Sequence, residues 1–299
     1  MLLFIGSTVA DVVVRLPALP RTGDDLHVLS QQVSLGGCAY NAFRAARLLG
    51  AEARLFSSVG GGVWGDFVAR ALAQEGIDTG LTAQGDNGCC YCLVEPSGER
   101  TFLCDHGAEY VFRKEWFNAL TEDFSAVYVC GLEIEEPTGA VILDYLETRT
   151  PPRLYFAPGP RLCAIAPDRM ERLLALHPVL HLNDAEALQF THTDTVEAAA
   201  QALHALTGND VIITLGAEGA FIHTADNQVL IPGMPARVVD TIGAGDAHIG
   251  AIMASEAAGM PLVEAVRHAH RLSAAVVSYS GATLPTDAWN AWTASHPLF

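Results

Sequence analysis

Short apolar runs recur along the chain, separated by longer stretches in which apolar residues return every three or four positions. Leu2–Ile5, Ala53–Ser57, Ala126–Cys130, Arg153–Phe156, Val179–Leu182 and Val211–Thr214 have the length and content of buried strands. Ala39–Leu49, Gly65–Glu75, Pro137–Glu147, Asp168–Leu176 and Thr195–Leu206 carry helical periodicity between them. Such alternation predicts the α/β class, a mostly parallel central sheet flanked by helices on both faces. Ligands of these sheets sit outside the carboxyl ends of the strands. Two places break the alternation. Asp11–Arg15 with Leu26–Leu35, and Cys89–Glu95 with Arg100–Cys104, read as strands with no helix between them, the second pair turning at Pro96-Ser97-Gly98-Glu99.

Composition narrows the class. The chain has 299 residues, 50% hydrophobic and 17% charged, which suits a large buried core and excludes disorder. A net charge of −17, with 17 Lys plus Arg scattered along the chain, repels nucleic acid and anionic lipid and argues against both as partners. Residues such as His248 and Glu256 interrupt the apolar stretches before any reaches the roughly 18 residues of a membrane span. Met1–Gly6 lacks a basic segment and reads as a first buried strand, so a cytoplasmic location is expected. The seven cysteines read as reduced thiols serving as small hydrophobes.

Chemistry concentrates in Asp240-Thr241-Ile242-Gly243-Ala244-Gly245-Asp246, which follows the strand-like Ala236–Val239 and runs into a helix-compatible segment, residues 247–259. A glycine-rich turn entering a helix leaves backbone N–H groups bare where anions bind well, and Asp246 adds a carboxylate there. Phosphoryl transfer to an alcohol needs that pair. Oriented N–H donors offset charge on the transferred oxygens, and a base within about 3 Å takes the alcohol proton. The chain has neither a Walker Gly-x-x-x-x-Gly-Lys-Ser/Thr sequence nor a Gly-x-Gly-x-x-Gly after its first strand, which disfavours P-loop and Rossmann dehydrogenase chemistry.

This segment resembles the C-terminal signature of the PfkB or ribokinase family of carbohydrate and nucleoside kinases. Gly36-Gly37-Cys38-Ala39-Tyr40-Asn41 is similar to the family's Gly-Gly-x-x-x-Asn, Asn183-Asp184-Ala185-Glu186 to its Asn-x-x-Glu, and Thr214–Ala220 to its Thr-Leu-Gly-x-x-Gly loop. Within the family the likeness is to bacterial sugar-kinase-like members of unassigned substrate, through GGCA-x-N, GDNG and EPSGERTF-type segments. The resemblance implies a ribokinase-like fold with a core of residues 1–10, 36–87 and 105–299 and a small β lid of residues 11–35 and 88–104. Lid closure would exclude water from the reaction, and its exposed edge leaves monomer and homodimer both open.

The resemblance also implies roles. Asp246 is the base, and the backbone of Gly243, Ala244, Gly245 and Asp246 forms the anion hole. Asp11, Gly36, Gly37, Asn41 and Glu133 line the acceptor site, although Asp11 taken alone reads more often as a turn cap. Thr214, Gly216, Gly219 and His270, with Ser273 beside it, surround ATP. Asn183 and Glu186 hold Mg²⁺ through water, and Asp240, the Ile242 carbonyl and Gly281 resemble a K⁺ site. His248 is expected to point elsewhere. Departures fall on the acceptor side: Val9 stands where ribokinase has a hydroxyl-binding asparagine, Cys38 where it has a lysine, and Gly61 and Gly62 where relatives carry acids. Trp64 suits either a ring face or the core. The expected activity is therefore ATP-dependent phosphorylation of a small neutral sugar or polyol, with a nucleoside acceptor or a catalytically weak regulatory protein as alternatives.

Overall fold

A computed structural model describes residues 1–97 and 99–296, so Gly98 of the turn read at residues 96–99 lies outside the described residues. In chain order the strands are β1 Leu2–Ile5, β2 Val9–Arg15, β3 Ser30–Gly36, β4 Ala53–Phe56, β5 Ser58–Gly61, β6 Leu81–Asp86, β7 Cys89–Val94, β8 Arg100–Asp105, β9 Ala126–Cys130, β10 Leu154–Ala157, β11 Val179–Asn183, β12 Val211–Thr214, β13 Gly219–His223 and β14 Gln228–Pro232. Eight of them form one sheet in the order β14-β13-β12-β11-β10-β9-β1-β4. Pairing is parallel from β12 to β4, as the strand–helix alternation requires, whereas β13 and β14 add an antiparallel edge.

Side chains of β1 divide between two layers. Leu2 and Phe4 enter a core shared with helices Cys38–Leu48, Ala244–Ala257 and Leu262–Val277. Leu3 and Ile5 enter the opposite core, under helices Gly139–Thr148, Pro167–Leu174 and Val196–Thr207. A strand buried on both faces needs an unbroken apolar run, which explains why this one has no polar residue. Each such side chain contributes roughly 1.5–3 kcal/mol when fully buried.

The second sheet has the order β3-β2-β7-β8. β2 pairs antiparallel with β3 and parallel with β7, and β7 pairs antiparallel with β8. Its β3 begins at Ser30, later than the expected Leu26. A short parallel pair, β5 with β6, had no signal in the hydrophobic pattern. It depends on the glycines: a Cβ at Gly60 would approach the Asn87 nitrogen and the Gly85 oxygen to 2.8 Å. Ala236–Val239 is not a strand, despite its β-branched residues. Val238 and Val239 are exposed, and the Val239 N–H donates 2.7 Å to the Val277 carbonyl at a helix end in place of a strand partner.

Candidate active site

Helix Ala244–Ala257 starts without a side-chain cap, on Gly243 at φ 70°. Its first bond of helical spacing runs from Ala247 N–H to the Gly243 carbonyl, 2.8 Å, so the amides of Gly245 and Asp246 precede the ladder. A Cβ at Gly245 would meet nothing within 4 Å, which leaves open space in front of those donors. A bare helix start with room before it is an anion cradle. Asp246, half-buried, accepts a hydrogen bond from Asn41 Nδ2 at 2.9 Å. Burial pushes its carboxyl up from 3.8 to about 6, against the pull of the Asn41 bond.

Beside the cradle lies a cavity of about 460 Å³, lined among others by Thr214, Gly216, Gly219, Ala244, Gly245 and His270. Two separate motifs and the helix that carries His270 thus meet at one space. Ser273 also lines it, as do Met234, Pro235, Ala236 and Val238, which no motif marked. His248 lines it as well, contrary to expectation. The reason is an imidazole chain: His248 Nδ1 lies 2.8 Å from His181 Nε2, and the His248 and His270 rings stack with centroids 5.1 Å apart. His270 Nδ1 donates to the Pro232 carbonyl at 3.1 Å, leaving its Nε2 buried and unpartnered, as is Nε2 of His248. Burial holds His181, His248 and His270 below the usual imidazole range, hence neutral.

Asp11 stands close enough to Asp246 to feel its charge. Burial first, then the charges of Asp246 and Cys104, push it up to about 7. Gly36 is paired with Val9, two residues before Asp11 on β2, and a Cβ there would overlap the Asp11 carboxylate. Gly37, at φ 102°, would bring a Cβ to 2.5 Å from the Ser7 oxygen. Both glycines therefore make room for the protein's own groups. Asn41 spends its amide nitrogen on Asp246, while its Oδ1 is buried without a partner. Glu133 is fully buried beneath this face, where its Oε1 accepts from both Ser7 N–H and Ser7 Oγ, each at 2.8 Å. Glu133→Ala is expected to cost about 2–4 kcal/mol by leaving two buried donors unpaired over a cavity. Thermal unfolding of the variant measures it. Trp64 is half-buried against the main core.

Asn183 and Glu186 form a capping box on helix Asp184–Thr191: Glu186 N–H donates to Asn183 Oδ1 at 2.8 Å, and Asn183 N–H to Glu186 Oε2 at 3.0 Å. Burial raises the Glu186 pKa, and the charges of Asp246 and Asp184 raise it further. Desolvated carboxylates in one another's field are the donor set that a hydrated divalent cation neutralises, so these residues fit Mg²⁺. Asp240 differs. Its Oδ1 accepts from Ile242 N–H at 3.0 Å and lies 3.5 Å from Arg100, and its Oδ2 accepts from Gly281 N–H at 3.3 Å. Arg100 also bonds Thr241 Oγ1, so a guanidinium from β8 already supplies positive charge at this turn.

The profile of the pfkB family of carbohydrate kinases matches residues 1–289. The chain belongs to that family. The uncharacterized sugar kinase YegV of Escherichia coli (strain K12) is 34% identical over 283 residues, covering 93% of this chain and 88% of that one. Ribokinase of Thermotoga maritima superposes with a TM-score of 0.84 at 22% identity, over 98% of this chain and 99% of that one. The nucleoside kinase of Burkholderia thailandensis, in complex with inosine, does so at 0.79 and 20%, over 99% and 97%. This pfkB chain has the ribokinase fold and is a kinase, catalysing ATP-dependent phosphorylation of a sugar-like substrate. Among its described residues no helix is long and apolar enough to cross a membrane.

Proposed function

We propose that this kinase phosphorylates a hydroxyl of a small neutral sugar or polyol, with Asp246 as general base and the Gly243–Asp246 backbone as anion hole. The observation that carries the reading is one desolvated carboxylate at an uncapped helix start, between a nucleotide-sized cavity and an acidic face. The cavity would hold ATP, with the neutral His248 and His270 in its wall. Asn183 and Glu186 hold Mg²⁺, which neutralises β- and γ-phosphate charge when bound. Asp11 accepts hydrogen bonds from acceptor hydroxyls, and Asp246 takes the proton of the attacking one as the phosphoryl group reaches the helix amides. The second sheet closes over the acceptor as a lid, and its exposed Tyr91, Phe102 and Leu103 support a homodimer through the same sheet.

A panel of pentoses, hexoses, polyols and nucleosides with ATP and Mg²⁺, with and without K⁺, tests the acceptor by ADP release and thermal shift. A neutral sugar or polyol raising both signals supports the reading. Response to a nucleoside alone, or to phosphorylated sugars alone, overturns it. The K⁺ arm reports whether Arg100 leaves any need for a monovalent cation.

The ionisation of Asp246 sets the pH dependence. Its carboxylate form is the base, so kcat/KM should climb through pH 6 to 7, where Asp246 and Asp11 titrate, and level off above. A flat profile between pH 5 and 8 rejects Asp246 as base. Stability runs the other way: the folded state holds the Asp246 proton more tightly than the unfolded chain, so ionisation costs stability as pH rises from 3.8 to about 6.

A further inference from the structure

One rung of the second sheet carries three reactive side chains in line. Asp11 of β2 is paired with Cys90 of β7, and Cys90 with Cys104 of β8. Side chains in register across a sheet share a face, so both thiols lie on the face of Asp11. The charges of Cys104 on Asp11 and of Asp11 on Cys90 are felt accordingly. The sulfurs are 3.3 Å apart. Cys104 is exposed and Cys90 half-buried, whereas Cys89 and Cys92, flanking on β7, are buried. Directly opposed strand residues have Cα atoms about 4.5–5.5 Å apart, within the range a disulfide spans.

The surroundings of Cys104 favour its thiolate. The Cys90 thiol donates to it, and His106 and Arg161 add positive charge, so its pKa is drawn below the ordinary thiol value while that of Cys90 is raised. His106 is itself held by Glu136 at 2.6 Å and stacks on Tyr110 at 4.0 Å. An exposed thiolate with a second thiol in contact has the parts of a redox pair: an attacking sulfur and a resolving one. The reading of all seven cysteines as small hydrophobes does not fit these two.

We propose that Cys90 and Cys104 form a redox-active dithiol on the acceptor face, which hydrogen peroxide oxidises to a cross-strand disulfide that slows phosphoryl transfer. The Cys104 thiolate attacks one peroxide oxygen; an S–O bond forms, the O–O bond breaks, and the departing hydroxide takes a proton to become water. Cys90 sulfur then attacks Cys104 sulfur, forming the S–S bond as the S–O bond breaks, and the Cys90 proton leaves with the second water. Two thiols are oxidised by two electrons, and one hydrogen peroxide is reduced to two waters. Closing the sulfurs from 3.3 Å to about 2.0 Å draws β7 and β8 together and removes the thiolate beside Asp11. Acceptor hydroxyls bound by Asp11 are then misplaced by a fraction of an ångström to an ångström, enough for about a tenfold loss in kcat/KM.

The effect on turnover rests on the proposed acceptor site; the disulfide itself does not. Treating reduced protein with hydrogen peroxide should lower titratable thiols from seven to five, with peptide mapping joining Cys90 to Cys104, and dithiothreitol should restore all seven. Cys90→Ser and Cys104→Ser should form no such bridge and should keep their ADP release through the same treatment. Seven free thiols after peroxide, or a bridge between other cysteines, overturns the proposal. A Cys90–Cys104 bridge with unchanged turnover overturns its regulatory half. Absence of kinase activity in the fully reduced protein counts against the acceptor reading and leaves the thiol result to decide the redox pair.

Discussion

Asp246→Asn is expected to lower kcat by at least about 10²-fold, the usual contribution of a positioned base, while nucleotide affinity stays within about twofold. Binding survives because Asp246 is not among the residues lining the cavity proposed for the nucleotide. The variant should also unfold at the same temperature as the native protein or slightly higher. An asparagine side-chain oxygen still accepts from Asn41 Nδ2, and the costly desolvated charge is gone. Loss of activity with retained stability separates a chemical role from a packing one. Steady-state kinetics, nucleotide titration and thermal unfolding on one preparation measure all three. Equal turnover in the two proteins removes Asp246 from the mechanism, and a large drop in unfolding temperature makes the residue structural.

Gly243→Ala should have an effect of similar size by a different route. Gly243 holds φ 70°, and an added Cβ would lie 2.5 Å from the Ala282 oxygen. A left-handed alanine costs about 1–2 kcal/mol before any clash. The turn relaxes by rotating away from Ala282, which carries the amides of Gly245 and Asp246 out of line with a transferring phosphate. Misaligned donors of this kind cost about 10²-fold in kcat. Gly245→Ala supplies the control, since its Cβ enters open space and strains nothing. That variant should keep its unfolding temperature and still lose turnover, because the new methyl fills the cradle. If Gly245→Ala turns over at the native rate, the space before the helix is not where the phosphate goes.

Legibility differed across the chain for physical reasons. β1, β9 and β11 are buried on both faces, so their apolar content alone marks them, and the helices between them follow from periodicity. Ala236–Val239 has the composition of a strand and no partner to pair with, a condition that composition cannot report. The β5–β6 pair fails in the opposite sense: two of its four β5 residues are glycines, whose contribution is the space they leave. At the site, glycine spacing announces a helix start able to bind an anion, because that property belongs to the local backbone. What lies opposite the start does not. Gly36 and Gly37 look like room for a ligand and instead admit Asp11 and the Ser7 backbone. His248 lies two residues beyond Asp246 and joins an imidazole chain through His181, 67 positions away.

By itself the sequence determined the α/β class, the family motifs and the anion-binding helix start, since each is written in short-range pattern and backbone chemistry. Only the tertiary structure decided that Asn41 is bonded to Asp246, that Glu133 is sealed beneath the site, that Arg100 reaches Asp240, and that Cys90 and Cys104 face one another beside Asp11. These depend on register and on burial across chain separations as long as 205 residues, and both are set by the packing of whole sheets and helices.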